Sequence, residues 1–362
     1  MPKIDRSSKV RPTVVGTGLV ALDIVLRKGH TPVITAGGTC ANVLAILSYL
    51  GWSSTLVSRL AEDRAAKYVL HDLSTWGVST RFAQLAPTCE TPVIVERIRQ
   101  DAHGRPFHTF SLSCPACGRR LPSYQPVTSS SMTGLLDGHP KLGKVAFIDR
   151  VSRGALDLAQ HTAANGGIVI FEPSSIRDEK LFKEMILIAH VVKYAQETLA
   201  DYGELSWSHA TRLEIQTLGR GGVRFRSNLA ELHRVWHHAQ AVPVNDLVDA
   251  CGAGDWFTAV LVDRLCRRGA KGLISASKAF LFDTVNLAQR IAAWNCAYAG
   301  ARGGMYSSEG RRELRSLARI DRRLGATQYE VESDDAAAQI CGCTISTSTN
   351  EVAIRPQPDL PS

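Results

Sequence analysis

At 362 residues the chain is long enough for one large domain or two smaller ones, and 44 % hydrophobic with 21 % charged residues exclude a disordered chain. The formal charge of +8 comes from Lys and Arg scattered among acids, with short clusters such as Arg311, Arg312, Arg315 and Arg319. That pattern disfavours a nucleic-acid partner and suits a substrate carrying phosphates. No apolar run reaches the ~18–20 residues of a bilayer span, and Asp23 interrupts the stretch from Val14 to Leu26.

Residues 1–12 are polar and basic without an apolar core behind them, so we expect a flexible lead and not a secretory signal. Thr13–Gly16 reads as a strand ended by a turn at Gly18. Ala41 to Leu50 has apolar residues at helical spacing, closed by Gly51. Thr55–Val57 is a short strand, and residues 63–76 a helix stopped by Gly77. Thr91–Ile98 and Pro106–Leu112 flank Asp101-Ala102-His103-Gly104, a hairpin signal. Strands then alternate with helices: Val145–Ile148, a helix to Ala164, Ile168–Phe171, a helix from Glu179, Val191–Lys193 and Glu214–Leu218. Two long helical patterns follow, from Trp256 to Arg267 and from Phe282 to Ala299. Such alternation predicts a mostly parallel sheet with helices on both faces, and a ligand beyond the carboxyl ends of the strands. Residues 325–362 lose periodicity and are expected to form a mobile tail.

The most informative segment runs from Asp249 to Ala259, Asp-Ala-Cys-Gly-Ala-Gly-Asp-Trp-Phe-Thr-Ala. Glycines at the start of a helix let the backbone approach an anion, and the free amides with the positive end of the dipole hold it. Asp255 in the first turn can take a proton from a hydroxyl while the amides of Gly252, Ala253 and Gly254 stabilise a transferring phosphoryl group. Taken alone, these residues are equally compatible with a plain loop and a helix-start acid. A second segment, Gly37-Gly38-Thr39-Cys40-Ala41-Asn42, combines close approach with an amide that both donates and accepts, as a sugar hydroxyl requires. A turn followed by a helix is the plainer reading of that segment.

In that order and at that separation, the two segments resemble the paired signatures of the ribokinase (PfkB) family of carbohydrate kinases, and the likeness spans residues 13–320. The resemblance implies a ribokinase-like α/β three-layer sandwich over residues 13–324, with a small β lid from parts of 13–35 and 88–130. It implies that Asp255 is the general base and that Gly252, Ala253 and Gly254 form the anion hole. Asp23, Gly37, Gly38 and Asn42 would bind the substrate hydroxyls. Thr217, Gly219 and Gly222, in Thr-Leu-Gly-Arg-Gly-Gly-Val, would lie against ATP, and Asn295 would line the adenine pocket. The implied partners are ATP with Mg²⁺ and a small sugar, sugar acid or nucleoside, in a cytoplasmic enzyme that could pair as a homodimer through its lid.

Three features depart from the family or add to it. The family has Asn-x-x-Glu after the strand at Val191–Lys193 to organise Mg²⁺; here Glu197 offers the carboxylate but no Asn precedes it at that spacing. A non-catalytic sugar- or nucleotide-binding regulator is therefore the alternative. Trp256 follows the expected base, Asp255, where a small polar residue is common, and either narrows the site or packs the helix. Cys114-Pro115-Ala116-Cys117-Gly118 has the form of half a Zn²⁺ site, compatible also with a reduced turn or a redox pair. Cys341-x-Cys343 has a different spacing and lies in the expected tail, so Cys89, His103 and His108 are the nearby candidates to complete it, or a second copy of the chain. A zinc-stabilised nucleic-acid-binding protein is the remaining alternative. The sequence has no Walker-type Gly-Lys-Ser/Thr loop and no Gly-x-Ser-x-Gly elbow.

Overall fold

The computed structural model describes residues 11–199, 208–229, 232–318, 329–330 and 336–343. In chain order the strands are Thr13–Thr17 (β1), Ala21–Arg27 (β2), Val33–Gly37 (β3), Ser53–Leu60 (β4), Ser79–Leu85 (β5), Val93–Gln100 (β6), Pro106–Ser111 (β7), Val145–Ile148 (β8), Ile168–Phe171 (β9), Val191–Ala195 (β10), Leu213–Thr217 (β11), Val223–Ser227 (β12), His237–Ala239 (β13) and Tyr329–Glu330 (β14). The helices are Thr39–Tyr49 (α1), Arg64–Thr75 (α2), Ser129–Gly138 (α3), Arg153–Ala164 (α4), Glu179–Ile188 (α5), Ala253–Cys266 (α6), Ala270–Ile274 (α7), Lys278–Asn295 (α8), Gly303–Tyr306 (α9), Ser308–Ala318 (α10) and Ala336–Cys341 (α11).

Nine strands form one sheet in the order β13-β12-β11-β10-β9-β8-β1-β4-β5. The ladders from β11 across to β5 are parallel, and β12 and β13 extend the edge antiparallel. At its centre, β8 and β9 are apolar without interruption because both faces are covered. Along β9, Ile168 and Ile170 pack into the core that holds α1, α6 and α8, while Val169 and Phe171 pack with α4 and α5. Helix α1 is buried from Cys40 to Tyr49, which is why its sequence is apolar on all sides. At α2 the Asp63 carboxylate caps the helix by accepting the Ala66 N–H at 2.7 Å.

The remaining five strands form a second sheet, β14-β3-β2-β6-β7. The hairpin expected around Asp101 is present: β6 and β7 pair antiparallel from Gln100–Pro106 inward, and Asp101 accepts the N–H groups of His103 and Arg105. This sheet is the lid, built from β2, β3, β6 and β7; β1, within the range considered for it, belongs to the large sheet. Two pieces of the expected tail join the fold. Tyr329–Glu330 pairs with β3, and Ala336, Ala337 and Ala338 on α11 are buried. A two-residue strand and a six-residue helix are too short to show periodicity, and partners far away in sequence hold them. The lead at residues 1–10 and the tail beyond 343 lie outside the described residues.

Candidate active site

Asp255 sits in the first turn of α6, which begins beyond the carboxyl ends of the parallel strands. Gly252 caps that helix with φ +73°, and a Cβ there would stand 2.2 Å from the Ala301 carbonyl oxygen. Only glycine permits this tight entry. Asp255 is buried and accepts a hydrogen bond from the Asn42 side-chain amide at 2.7 Å. Burial, reinforced by the negative charge of Glu172, pushes its carboxyl up to about 7, against the Asn42 bond and the Lys193 charge, which favour ionisation.

Asn42 is held from behind. Its side-chain oxygen accepts from Arg302 Nε at 2.9 Å, and Arg302 also reaches the Ala36 carbonyl at 2.6 Å and Asp72 at 2.8 Å. Tyr306 donates to the same Asp72 carboxylate at 2.8 Å. A buried ion pair thus fixes which way the Asn42 amide faces: oxygen to Arg302, nitrogen to Asp255.

On the lid side, Asp23 of β2 lies against Gly37 of β3. A Cβ at Gly37 would stand 1.8 Å from an Asp23 carboxylate oxygen, so the glycine makes the space that the carboxylate occupies. Asp23 is buried with one oxygen unpartnered, and burial pushes it up to about 7 while the Arg302 charge pulls it down. Gly38 caps α1 at φ +86°, where a Cβ would meet the Leu19 carbonyl at 2.5 Å. Two more acids lie at the strand ends. Asp149, after β8, accepts the Leu19 N–H at 3.0 Å and pairs with Arg150. Glu172, after β9, bonds Lys193 of β10 and accepts from Thr258 of α6 at 2.6 Å. Lys193 also donates to the Gly254 carbonyl at 3.1 Å, tying the glycine loop to the sheet.

The entrance to that loop is tied to the lid. Asp249 accepts the N–H groups of Cys251 at 2.9 Å and Gly300 at 2.8 Å, and shares a 2.8 Å hydrogen bond with His108 Nδ1 on β7. Glu96 on β6 lies nearby, one oxygen 4.0 Å from His108 Nδ1 and neither hydrogen-bonded, and burial with the Asp249 charge pushes it up to about 10.

Comparison with known proteins finds similar sequences and a similar fold. Residues 14–112 match the model of the pfkB family of carbohydrate kinases. A fructokinase of Klebsiella pneumoniae is 25 % identical over 259 residues, which are 66 % of this chain and 80 % of that protein. Both matches make the chain similar to the pfkB family of carbohydrate kinases. Its fold is ribokinase-like: the fructokinase of Xylella fastidiosa, solved with bound ATP, superposes with a TM-score of 0.65 at 17 % identity, over 85 % of this chain and 100 % of that one. The aminoimidazole riboside kinase of Salmonella enterica, solved with aminoimidazole riboside and an ATP analogue, gives 0.58 at 20 % identity over 80 % and 95 %.

Among the residues expected to act, Asp23, Gly37, Asn42 and Asp255 come together through Arg302 and the direct contacts above. Thr217 ends β11 in register with Ala195 of β10, on the same strand-end edge. Gly219 and Gly222 take φ +53° and +91° in the turn into β12, and a Cβ at Gly222 would meet the Ala239 carbonyl at 2.2 Å. That turn therefore needs Gly222 for its own packing. Glu197 is exposed just beyond β10; the residue three before it, Tyr194, sends its hydroxyl to Glu214 at 2.7 Å and stays buried.

Asn295, expected against adenine, is fully buried. Its amide donates to the Ala301 carbonyl at 3.1 Å and the Cys251 carbonyl at 3.4 Å, and accepts the Gly304 N–H at 3.3 Å. It braces the glycine loop from beneath. Trp256 packs the helix: it is buried, donates to Ala301 at 3.1 Å and meets Trp294 edge-on. Cys114 and Cys117 are joined not by Cys89, His103 or His108 but by Cys341 and Cys343. Arg302, Asp72, Glu172 and Lys193 escaped the sequence reading. A single charge in an apolar stretch, such as Lys193 in Val191–Ala195, was the signal available.

Proposed function

We propose that this enzyme transfers the γ-phosphoryl group of ATP to a hydroxyl of a small sugar, sugar acid or nucleoside, with Asp255 as general base. The 2.7 Å bond between Asn42 and Asp255 carries this reading, because it couples the double-glycine segment to the glycine loop across 213 residues. Asp23 and Asn42 orient the sugar hydroxyls beside Gly37 and Gly38. Asp255 takes the hydroxyl proton as its oxygen attacks the γ-phosphorus, and ADP leaves. Amides at Gly252–Gly254 hold the developing charge, although the Ala253 N–H already makes a 3.3 Å contact with Ala250.

ATP lies along Thr217, Gly219 and Gly222 in this reading. Glu197 suits Mg²⁺: it is an exposed carboxylate two residues past Ala195, the end of β10 and the partner of Thr217. When bound, the ion neutralises phosphate charge and keeps most of its waters. The lid excludes water, with His108–Asp249 as its contact with the loop. Edge strand β7 exposes Phe107 and Phe110, which supports pairing of two copies through the lid. The nine free cysteines suit a reducing, cytoplasmic setting.

The substrate class is supported in part by similar proteins named fructokinase and aminoimidazole riboside kinase. ADP formation should be measured against a panel of ketoses, riboses, ketodeoxy acids and nucleosides, alongside thermal shifts with an ATP analogue. ADP release that depends on one panel member supports the reading. Nucleotide and sugar binding without any turnover would instead favour the regulator, a reading to which Tyr194 in place of the family's Asn lends its one observation.

A further inference from the structure

Two cysteine pairs from opposite ends of the sequence meet beside the lid. Cys114 and Cys117 lie on the segment leaving β7; Cys341 and Cys343 lie at the end of α11, and Cys343 follows Cys114 by 229 positions. The Cys114 and Cys343 sulfurs are 3.5 Å apart, those of Cys117 and Cys341 3.7 Å, and all four lie within 4.8 Å of one another. All four are free thiols. Four thiolates around a tetrahedral Zn²⁺, at Zn–S of ~2.3 Å, have sulfur–sulfur edges of about 3.8 Å. The sulfur cage thus has the dimensions of that ion's coordination sphere.

Each pair rides on a tight turn. The Gly118 N–H donates to the Cys114 carbonyl at 2.9 Å and the Cys114 N–H to the Arg119 carbonyl at 2.8 Å, with Gly118 at φ +72°. Gly342, between the other two cysteines, takes φ +67°. Glycine at such positions lets a short turn aim two side chains at one point. Arg119 and Arg120 place positive charge next to a site that would carry two net negative charges.

We propose that Cys114, Cys117, Cys341 and Cys343 bind one Zn²⁺ that clamps the C-terminal segment to the lid. Four sulfurs fill the coordination sphere, leaving no position for substrate, so the site is structural. Binding releases the thiol protons to solvent and adds its free energy to the docking of this segment. The docked segment includes β14, which covers the edge of β3, the strand that ends at Gly37. The clamp therefore supports the lid from its outer side, and it stands independently of which sugar is phosphorylated.

Elemental analysis of the full chain, purified under reducing conditions, is expected to give about one zinc per chain. Cys117→Ser and Cys343→Ser should each lose the metal, while Cys266→Ser, at a buried thiol in α6, should keep it. Protein in which Co²⁺ replaces zinc should show the intense visible bands of a tetrahedral thiolate site, absent from the two variants. Because Cys117 is exposed, its variant should retain the folded core and instead be cut faster by protease after α10. Zinc-free protein that takes up no added Zn²⁺ would overturn the proposal. So would zinc retained by both Ser variants, or disulfides Cys114–Cys343 and Cys117–Cys341 found by mass mapping of the reduced-purified chain.

Discussion

Strands β8 and β9 of the large sheet bury every residue, whereas lid strand β7 buries none and leaves Phe107 and Phe110 exposed. The difference separates two tasks. The large sheet and its helices hold Asp255 and the glycine loop in place through Lys193, Asn295 and Trp256, all buried. The lid brings Asp23 and Gly37 to the same place but rests on one covered face, a hairpin and a C-terminal strap. Under the proposed function, chemistry is placed on the rigid element and acceptance of substrate on the lighter one. Arg302 joins them, bonded to Ala36 in the lid, Asn42 in α1 and Asp72 in α2.

Substitutions on the two sides should therefore read out differently. The largest effect belongs to the rigid side. Asp255→Asn should lower kcat by about a thousandfold, within the range a positioned base supplies, while ATP still binds. Near-normal turnover by that variant would reject Asp255 as base. Next, Arg302→Met should leave Asp72 buried without its cation. We expect a loss of about 3–5 kcal/mol in urea unfolding, as for other broken buried pairs. An unchanged midpoint would show that Arg302 does not join the two halves.

On the lid, Gly37→Ala should displace the Asp23 carboxylate. A rise of about tenfold in KM for the sugar, equivalent to ~1.4 kcal/mol, is expected with KM for ATP unchanged. An equal rise for both would place the fault outside the sugar side. The smallest effect is on pH dependence. Because burial holds Asp255 up at about 7, lower pH protonates the base. Activity should climb until about pH 7 and then level off; Asn42→Ala, which removes a bond favouring the charged form, should move that rise to higher pH. A flat profile between about pH 5 and 8 would contradict the assignment. The fold responds with the opposite sign. Asp23 and Asp255 have raised pKa values, so the stability they contribute is present at acid pH and lost as pH rises through about 7.

Local rules made much of this legible in the chain. Gly-Ala-Gly before an apolar helix marks a close backbone approach wherever it occurs, and the structure finds Gly252 confined by Ala301. The apolar strands β8, β9 and β10 declared a sheet buried on both faces. Asn295 misled for an equally physical reason. A polar residue on an apolar helix faces either a ligand or a buried backbone, and periodicity does not distinguish them. Lys193, Glu172 and Asp72 look like surface charges in sequence because their partners come from other elements.

The sequence by itself determined the alternation of strands and helices, the glycine turns that open α1 and α6, and the acids and amide available at those turns, since each depends on residues a few positions apart. Tertiary structure alone decided that Asn42 meets Asp255, that Arg302 ties lid to core, and that Cys341 and Cys343 close upon Cys114 and Cys117. Those meetings join residues more than two hundred positions apart, where side-chain spacing along the chain carries no information and only the packing of the sheets sets distance.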